Sequence, residues 1–171
     1  MFYHASPTGG ITCLEPRISN HGIPLVYFSR KRENTLVYLS NAVEKYCRET
    51  GFAYEGVWRK WGPYGFGADG RMRIEEYYPD ALISTYQGVN GYIYFAENIP
   101  DPGPVLEIPD AHEEILRAER LGLITILRYD EMPAKMREWN ERTIRAEYEN
   151  AAGHPEYRHF LLGRFPFILR R

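Results

Sequence analysis

The sequence has little cysteine, no long apolar run and almost no leader-like character at its start. Cys13 and Cys47 are its only cysteines, so a disulfide framework is not expected, and no CxxC spacing indicates a metal site. No stretch approaches the roughly 18 consecutive apolar residues of a membrane-spanning helix. The N-terminus also lacks the charged and apolar regions of a secretory signal. We therefore expect a reduced, cytoplasmic protein that has no membrane segment.

Several common catalytic signatures are absent as well. The sequence contains no P-loop, no GxGxxG, no HExxH, no GxSxG elbow and no protein-kinase signature. The five histidines have no spacing suited to a zinc site, which needs convergent ligands, so no metal is expected. The adjacent carboxylates Glu75-Glu76 and Glu113-Glu114 point apart on a strand or helix. They indicate solvated faces rather than the paired acids of a glycosidase.

The charge of the chain is almost balanced, with 21 basic and 23 acidic residues and a formal net charge of −2. An obvious nucleic-acid-binding protein is therefore not indicated. The tail from Arg164 to Arg171 is an exception, because it is both apolar and basic. Two interpretations of it stay open: a docked or frayed terminus, or a contact with a partner.

The order of the predicted elements indicates an α+β fold. A chain of 171 residues is most simply one domain, here a sheet-containing core, 1–129, followed by a helical extension, 130–171. The hydrophobic patterns predict strands over 2–6, 25–29, 72–78, 91–97, 105–108 and 123–129. They predict helices from Ser29 or Asn34 to Gly51, and over 79–86, 110–122, 133–150 and 155–163. This order favours a mixed or antiparallel sheet.

The segment 52–72 is rich in glycine and aromatic residues, including Trp58 and Trp61. This composition is typical of a hairpin or of an ordered surface loop. Such a loop either lines a site or forms a local apolar mini-core, and both interpretations stay open.

Two short aromatic strands near the N-terminus each carry polar side chains that suit a binding site. His4 and Ser6 are two residues apart and share one face of the first strand, as Tyr27 and Ser29 do on the second. If these strands are neighbours, the four side chains converge on one groove that suits a ribose or an amide. The alternative is that they are ordinary strand residues, since aromatic residues favour strands in any case.

These motifs resemble those of the ADP-ribosyltransferases. The runs Tyr3-His4-Ala5-Ser6, Val26-Tyr27-Phe28-Ser29 and Gly91-Tyr92-Ile93-Tyr94 follow in the family's order, and a helix comes directly after the second. The chain looks most like the small bacterial type that modifies rifampicin, over roughly residues 2–108. The resemblance implies a split sheet with flanking helices, and NAD as the substrate. It implies transfer of ADP-ribose to an acceptor that is a small molecule, a nucleic acid or a protein.

The resemblance also implies roles for individual residues. His4 matches the histidine that hydrogen-bonds the nicotinamide-side ribose, and Tyr27 matches the tyrosine that stacks on the nicotinamide ring. Ser6 matches the small hydroxyl residue two positions after the histidine, and Ser29 holds the same place after Tyr27. Ser29 is equally compatible with a helix cap. Ala5 stands where the family commonly has glycine.

The resemblance further implies a carboxylate that supports positive charge on the ribose, and two candidates fit. Glu97 ends the predicted strand 91–97, and Glu107 lies within 105–108. Glu107 is favoured, because alternation along a strand turns it away from Leu106 and Ile108.

Two other interpretations stay open beside the enzyme. One is a non-catalytic module on the same scaffold that reads a nucleotide or a protein through the loop 52–72. The other is an interaction protein whose charged C-terminal helices dock to another chain.

Overall fold

The computed structural model describes residues 1–18, 22–51, 64–98 and 103–170 of the chain, without the side chain of Phe167. These residues form an α+β fold with several sheets, as expected. The strands are β1 (Phe2–Ser6), β2 (Arg17–Ile18), β3 (Pro24–Leu25), β4 (Tyr64–Phe66), β5 (Met72–Glu75), β6 (Gly91–Ala96), β7 (Val105–Ile108) and β8 (Ile124–Leu127). The α-helices are α1 (Ala42–Thr50), α2 (Ala81–Tyr86), α3 (Ala111–Arg120), α4 (Ala134–Asn150), α5 (Pro155–Arg164) and α6 (Pro166–Leu169).

The first sheet has the order β1-β6-β7, and both pairs of strands are antiparallel. In its register, Ala5 lies opposite Ile93, which lies opposite Leu106. Ala5 and Ile93 are buried, so this face of the sheet packs on the core. Because side chains alternate along a strand, His4 and Ser6 lie on the other face. The core therefore fixes which side of β1 presents its polar residues.

The second sheet has the order β4-β5-β8, with β4 antiparallel and β8 parallel to β5. A separate two-stranded hairpin joins β2 and β3. The prediction of mixed and antiparallel pairing agrees with these sheets. For the segment 52–72, the described part forms a hairpin between β4 and β5, one of the structures expected there. Trp58 and Trp61 lie outside the described residues.

One apolar cluster draws on both sheets, on α3 and on a 3-10 helix at Arg32–Tyr38. Its fully buried members include Leu36 of the 3-10 helix, Ile93 of β6 and Ile115 of α3. The Arg32 guanidinium donates to the Glu114 carboxylate at 2.8 Å, which links the 3-10 helix to α3. This cluster holds the first sheet in place behind its polar face.

A second apolar cluster packs the C-terminal helices against α1. It includes Ala42 and Val43 of α1, Ile144 of α4 and Phe160 of α5. In the tail, Phe165 and Ile168 are buried in the same cluster, so residues 164–170 are docked rather than frayed. Among the described residues, no helix combines the length and the apolar character needed to cross a membrane.

The helix expected from Ser29 or Asn34 to Gly51 is wrong in its first half. The chain forms the 3-10 helix first, and α1 begins only at Ala42. The Asn41 side chain accepts from the Glu44 backbone N–H at 2.8 Å, so Asn41 is the cap that starts the α-helix. Its C-terminal end is as expected, because Gly51 is left-handed with a φ of 68°.

Candidate functional site

A groove of about 330 Å³ lies beside the polar face of β1. Its walls come from β1, from the segment after it, from the β2–β3 hairpin and from the residues that follow β3. The lining residues that bear on chemistry are His4, Ser6, Thr8, Cys13, Glu15, Arg17 and Tyr27. The apolar lining comes from Ile11, Leu14, Ile18, Leu25 and Val26. A volume near 300 Å³ is at the lower end for sites that bind small molecules.

His4 is held in the groove by a hydrogen bond from its ring to the backbone. Its Nδ1 lies 2.9 Å from the carbonyl oxygen of Tyr27. A carbonyl only accepts, so Nδ1 must carry the proton, and the neutral ring presents Nε2 as an acceptor. In the described part of the chain, Nε2 has no hydrogen-bond partner. His4 is therefore oriented to accept a hydrogen bond from a hydroxyl group of a ligand.

The predicted strand 25–29 is mostly wrong, although its placement beside β1 is right. Leu25 belongs to β3, which pairs with β2 rather than with β1. Only Tyr3 and Ser29 bridge the two segments, through backbone bonds of 2.8 and 2.9 Å. The intervening Tyr27 carbonyl is used by the His4 side chain instead of a backbone N–H. The hydrogen bond from the His4 side chain thus takes the place of a backbone hydrogen bond between the two segments.

Three of the four predicted ligand contacts meet at the groove, and Ser29 does not. His4, Ser6 and Tyr27 all line it. The Ser29 hydroxyl instead accepts from the Lys31 backbone N–H at 3.1 Å. This bond stabilises the turn before the 3-10 helix, which is close to the alternative role expected for Ser29.

The Tyr27 ring is supported from behind by two further tyrosines. Tyr27 stacks on Tyr38 with ring centroids 6.3 Å apart and planes 14° apart. The Tyr64 hydroxyl donates to the Tyr38 hydroxyl at 3.0 Å, and the two rings meet edge to face. Burial, together with this hydrogen bond, raises the pKa of Tyr64 far above its ordinary value, so the phenol stays protonated. The stack therefore restricts how the Tyr27 ring can turn.

The loop after β1 is pinned to the polar face of the sheet and forms one wall of the groove. The buried Tyr94 hydroxyl donates to the Thr8 carbonyl at 2.8 Å and accepts from the Ile11 N–H at 3.2 Å. The Ser6 hydroxyl accepts from the Thr8 N–H at 3.1 Å. Gly9 lies so near the Tyr92 ring that an added Cβ would be 2.6 Å from Cζ. Only glycine permits this close approach without displacing the ring.

Neither predicted carboxylate lines the groove. Glu107 lies opposite Tyr92, which lies opposite Ser6, so all three share the polar face of the first sheet. Glu107 is nevertheless two strands away from Ser6, roughly 10 Å by the usual spacing between strands. The expected orientation away from Ile108 agrees with this register.

Glu97 lies at the far end of the sheet from Ser6. It follows the last residue of β6, Ala96, which pairs with Phe2. Its exposed side chain lines a different groove of about 320 Å³, together with Met1, Phe95, Pro104 and neighbouring residues. Glu97 therefore lies three residues beyond Tyr94, the residue opposite His4 in the sheet.

Besides Thr8, three polar residues of the groove were not predicted from the sequence. Cys13, Glu15 and Arg17 lie in the segment that leads into the β2–β3 hairpin. The signal that points to this hairpin is weak, since each strand has only two residues and shows no periodicity. Near its tip, Gly22 has a φ of 72°, a left-handed backbone conformation that favours glycine.

No metal site accompanies the groove in the described ranges. There, no group of three or more histidine, cysteine, aspartate or glutamate side chains is placed to hold an ion. The polar lining instead offers an oriented imidazole acceptor, an aromatic ring, one carboxylate and one guanidinium. Comparison with protein-family models, with curated proteins and with solved structures finds no match for the chain, so these residues alone carry the functional argument.

Proposed function

We propose that the protein binds NAD in this groove and transfers its ADP-ribose to an acceptor. The acceptor is a small molecule, a nucleic acid or a protein. The observation that carries the proposal is the meeting of His4, Ser6 and Tyr27 at one groove, although His4 and Tyr27 are 23 residues apart. These are three of the four residues that the sequence predicts as NAD contacts, the fourth being Ser29.

The chemistry of His4, Tyr27 and Arg17 supports the nicotinamide riboside and the pyrophosphate of NAD as the occupants of the groove. The ribose hydroxyl groups are donors that match the Nε2 acceptor of His4. The flat nicotinamide ring can stack on the face of the Tyr27 ring that Tyr38 does not cover. Arg17, in β2 at the groove, suits the pyrophosphate, because a guanidinium pairs with phosphate oxygens through two hydrogen bonds.

The proposal is tested by titrating NAD into the protein in a calorimeter. We expect saturable binding, weakened about tenfold in His4→Ala by the loss of one hydrogen bond near 1.4 kcal/mol. Tyr27→Ala should weaken binding by about tenfold or more, because stacking on an aromatic ring contributes about 1–3 kcal/mol. Tyr27→Phe keeps the ring and should bind NAD as the unaltered protein does.

Ser29→Ala is the matched control, since Ser29 has the predicted motif position but lies outside the groove. It should leave NAD affinity unchanged. Circular dichroism of each variant shows whether the fold is retained. An absence of heat at millimolar NAD would contradict the proposal. So would an affinity for NAD in His4→Ala and Tyr27→Ala equal to that of the unaltered protein.

A second candidate is a nucleotide-binding module that performs no transfer. The observation that favours it is the distance of Glu97 and Glu107 from the groove. Nicotinamide release separates the two candidates: the transferase releases it from NAD, whereas the module binds NAD and leaves it intact. Cys13 and Cys47 are free thiols, which suits the reducing cytoplasm as the proposed setting for either function.

A further inference from the structure

The groove contains a carboxylate that neither the motifs nor the strand pattern indicate. Of the aspartate and glutamate residues that the structure describes, only Glu15 lines the groove with His4 and Tyr27. It precedes β2 by two residues, so it lies in the segment between β1 and β2 and not in the first sheet. Arg17 lines the same wall, so the two opposite charges are both present at the groove.

The Glu15 carboxylate forms no ion pair with the described residues. Its exposed side chain forms no hydrogen bond and no salt bridge with the described residues, Arg17 included. Two other carboxylates near the first sheet already have partners. Glu114 is engaged by Arg32 at 2.8 Å, and Asp110 caps α3. No partner among the described residues therefore competes with a ligand in the groove for the Glu15 carboxylate.

We propose that Glu15 is the catalytic carboxylate of this groove, an inference that rests on the proposed function. In the reaction, the bond between C1′ of the ribose and the nicotinamide nitrogen breaks, and both electrons leave with nicotinamide. Positive charge then develops on C1′ and the ring oxygen, and the Glu15 carboxylate stabilises it. The acceptor oxygen forms the new bond to C1′ and releases its proton. With water as acceptor, NAD⁺ and H₂O give ADP-ribose, nicotinamide and H⁺.

The two carboxylates predicted from the sequence, Glu97 and Glu107, lie too far from the groove to act as its catalytic carboxylate. Glu107 lies roughly 10 Å from Ser6 on an exposed edge strand. At that separation, which is close to the Debye length of about 8–10 Å, water and salt screen most of its effect on a charge near His4. Glu97 lines the other groove. A carboxylate stabilises a developing charge effectively only when it lines the cavity in which the charge forms.

The test compares nicotinamide release by Glu15→Gln with release by Glu97→Gln and Glu107→Gln. The three substitutions make the same chemical change at exposed sites, so the latter two are matched controls. We expect Glu15→Gln to lower kcat by about 100-fold or more, the effect typical of removing one electrostatic stabiliser. The Glu97→Gln and Glu107→Gln variants should stay within about threefold of the unaltered protein. Equal kcat in Glu15→Gln, or a loss confined to Glu97→Gln or Glu107→Gln, would overturn the assignment.

A binding measurement adds a readout that a merely structural role would not change. The nicotinamide ring is cationic in NAD⁺ and neutral in NADH, so a carboxylate near it favours the oxidised form. Glu15→Gln should reduce the preference for NAD⁺ over NADH by about threefold or more, with no change in NADH affinity. An unchanged preference counts against Glu15.

The failure of this inference is distinguishable from the failure of the proposed function. If the unaltered protein does not bind NAD, the proposed function falls and Glu15 falls with it. If it binds NAD and releases no nicotinamide, the binding groove stands, and the catalytic role of Glu15 is rejected. If release occurs and survives in Glu15→Gln, the transferase stands and only Glu15 is rejected.

Discussion

The Nδ1 atom of His4 donates to the backbone carbonyl of Tyr27 across 2.9 Å. This hydrogen bond joins the middle of β1 to a segment that has left regular strand pairing, and it orients both proposed NAD contacts at once. A histidine ring fixed through one nitrogen presents the other in a defined direction. The relative placement of the His4 ring and the Tyr27 backbone therefore depends on this side-chain-to-backbone bond.

The tautomer of His4 is the first testable consequence. In the neutral imidazole, we expect the proton on Nδ1, because the Tyr27 carbonyl can only accept. Long-range ¹⁵N–¹H NMR at alkaline pH distinguishes the two tautomers directly. Added NAD should shift the Nε2 resonance of His4 and leave the exposed His154 unchanged. A proton on Nε2 in the free protein would contradict the hydrogen bond.

The hydroxyl of Tyr94 provides a second prediction, because it pins the loop that forms one wall of the groove. Tyr94→Phe removes the bonds to Thr8 and Ile11 and should cost about 1–2 kcal/mol in the free energy of unfolding. NAD affinity should fall about 3- to 10-fold as the loop loses its support. Urea unfolding and calorimetry measure the two effects.

Tyr92→Phe is the matched control for the Tyr94 variant. Tyr92 is on the same strand and the same face, but its hydroxyl forms no hydrogen bond with the described residues. The substitution should change stability by less than about 0.5 kcal/mol, as surface changes usually do. Equal losses in both variants would show that the Tyr94 hydroxyl does not hold the loop.

Alkylation of Cys13 reports whether NAD occupies the groove, whether or not the protein turns NAD over. Cys13 is exposed and lines the groove, whereas burial raises the pKa of the half-buried Cys47 thiol. The thiolate is the reactive form, so iodoacetamide should modify Cys13 first. Saturating NAD should slow the modification of Cys13 and leave Cys47 unaffected, as measured by peptide mass spectrometry. Unchanged Cys13 labelling at saturating NAD would place the ligand elsewhere.

Elements with strong local signals were predictable from the sequence. The Asp110 cap accepts from the backbone N–H groups of His112 and Glu113, as the pattern with Glu113 three residues later indicates. The strand 105–108 has the predicted bounds. Such elements are determined by residues close together in the chain, so they can be predicted without knowledge of the tertiary structure.

Features that depend on distant contacts were not predictable. The segment 25–29 has the composition of a strand, yet its pairing is limited by the His4 contact with the Tyr27 carbonyl. The position of Glu15 depends on a hairpin of two-residue strands, which has no periodic signal. The order of the motifs predicted His4 and Tyr27 as site residues, whereas their separation of 23 residues gives no sign that they are in contact. Glu15 belongs to no motif, so only the folded groove reveals it.

The buried carboxylate of Glu76 is expected to contribute to stability and not to ligand binding. It accepts from the backbone N–H of Leu82 at 2.9 Å and from that of Tyr129 at 3.3 Å. It thereby connects the end of the second sheet with the first turn of α2, whose own Asp80 provides no side-chain cap. Glu76→Ala leaves both N–H groups without their acceptor.

We expect Glu76→Ala to lower the free energy of unfolding by about 2–3 kcal/mol, since each unsatisfied buried donor costs about 1–3 kcal/mol. Glu76→Gln retains one carbonyl acceptor and should lose about half as much. Urea denaturation provides the comparison. Glu75→Ala, at the adjacent and more accessible position, is the control and should cost less than either. A larger loss in Glu75→Ala would contradict the role of Glu76.

The phenol of Tyr86 predicts how stability responds to alkaline pH. Burial, with a smaller effect from Tyr78, raises its pKa well above the ordinary value of 10.0. Above about pH 10 the unfolded chain releases this proton, while the folded protein keeps it. The folded state then binds more protons, so its stability falls as pH rises. The loss from this one group approaches about 1.4 kcal/mol per pH unit.

Tyr86→Phe isolates this contribution, because phenylalanine fills the same space and does not titrate. The hydrogen bond from the Tyr86 hydroxyl to the Val37 carbonyl is long, at 3.4 Å. Its loss in Tyr86→Phe should therefore lower stability only a little near neutral pH. Between about pH 9 and pH 11.5, we expect the urea midpoint to fall less steeply in Tyr86→Phe than in the unaltered protein. Parallel curves would mean that water reaches Tyr86 in the folded state and that its phenol ionises as in the unfolded chain. The core beside the 3-10 helix would then be packed less tightly than the burial of Val37 and Tyr86 indicates.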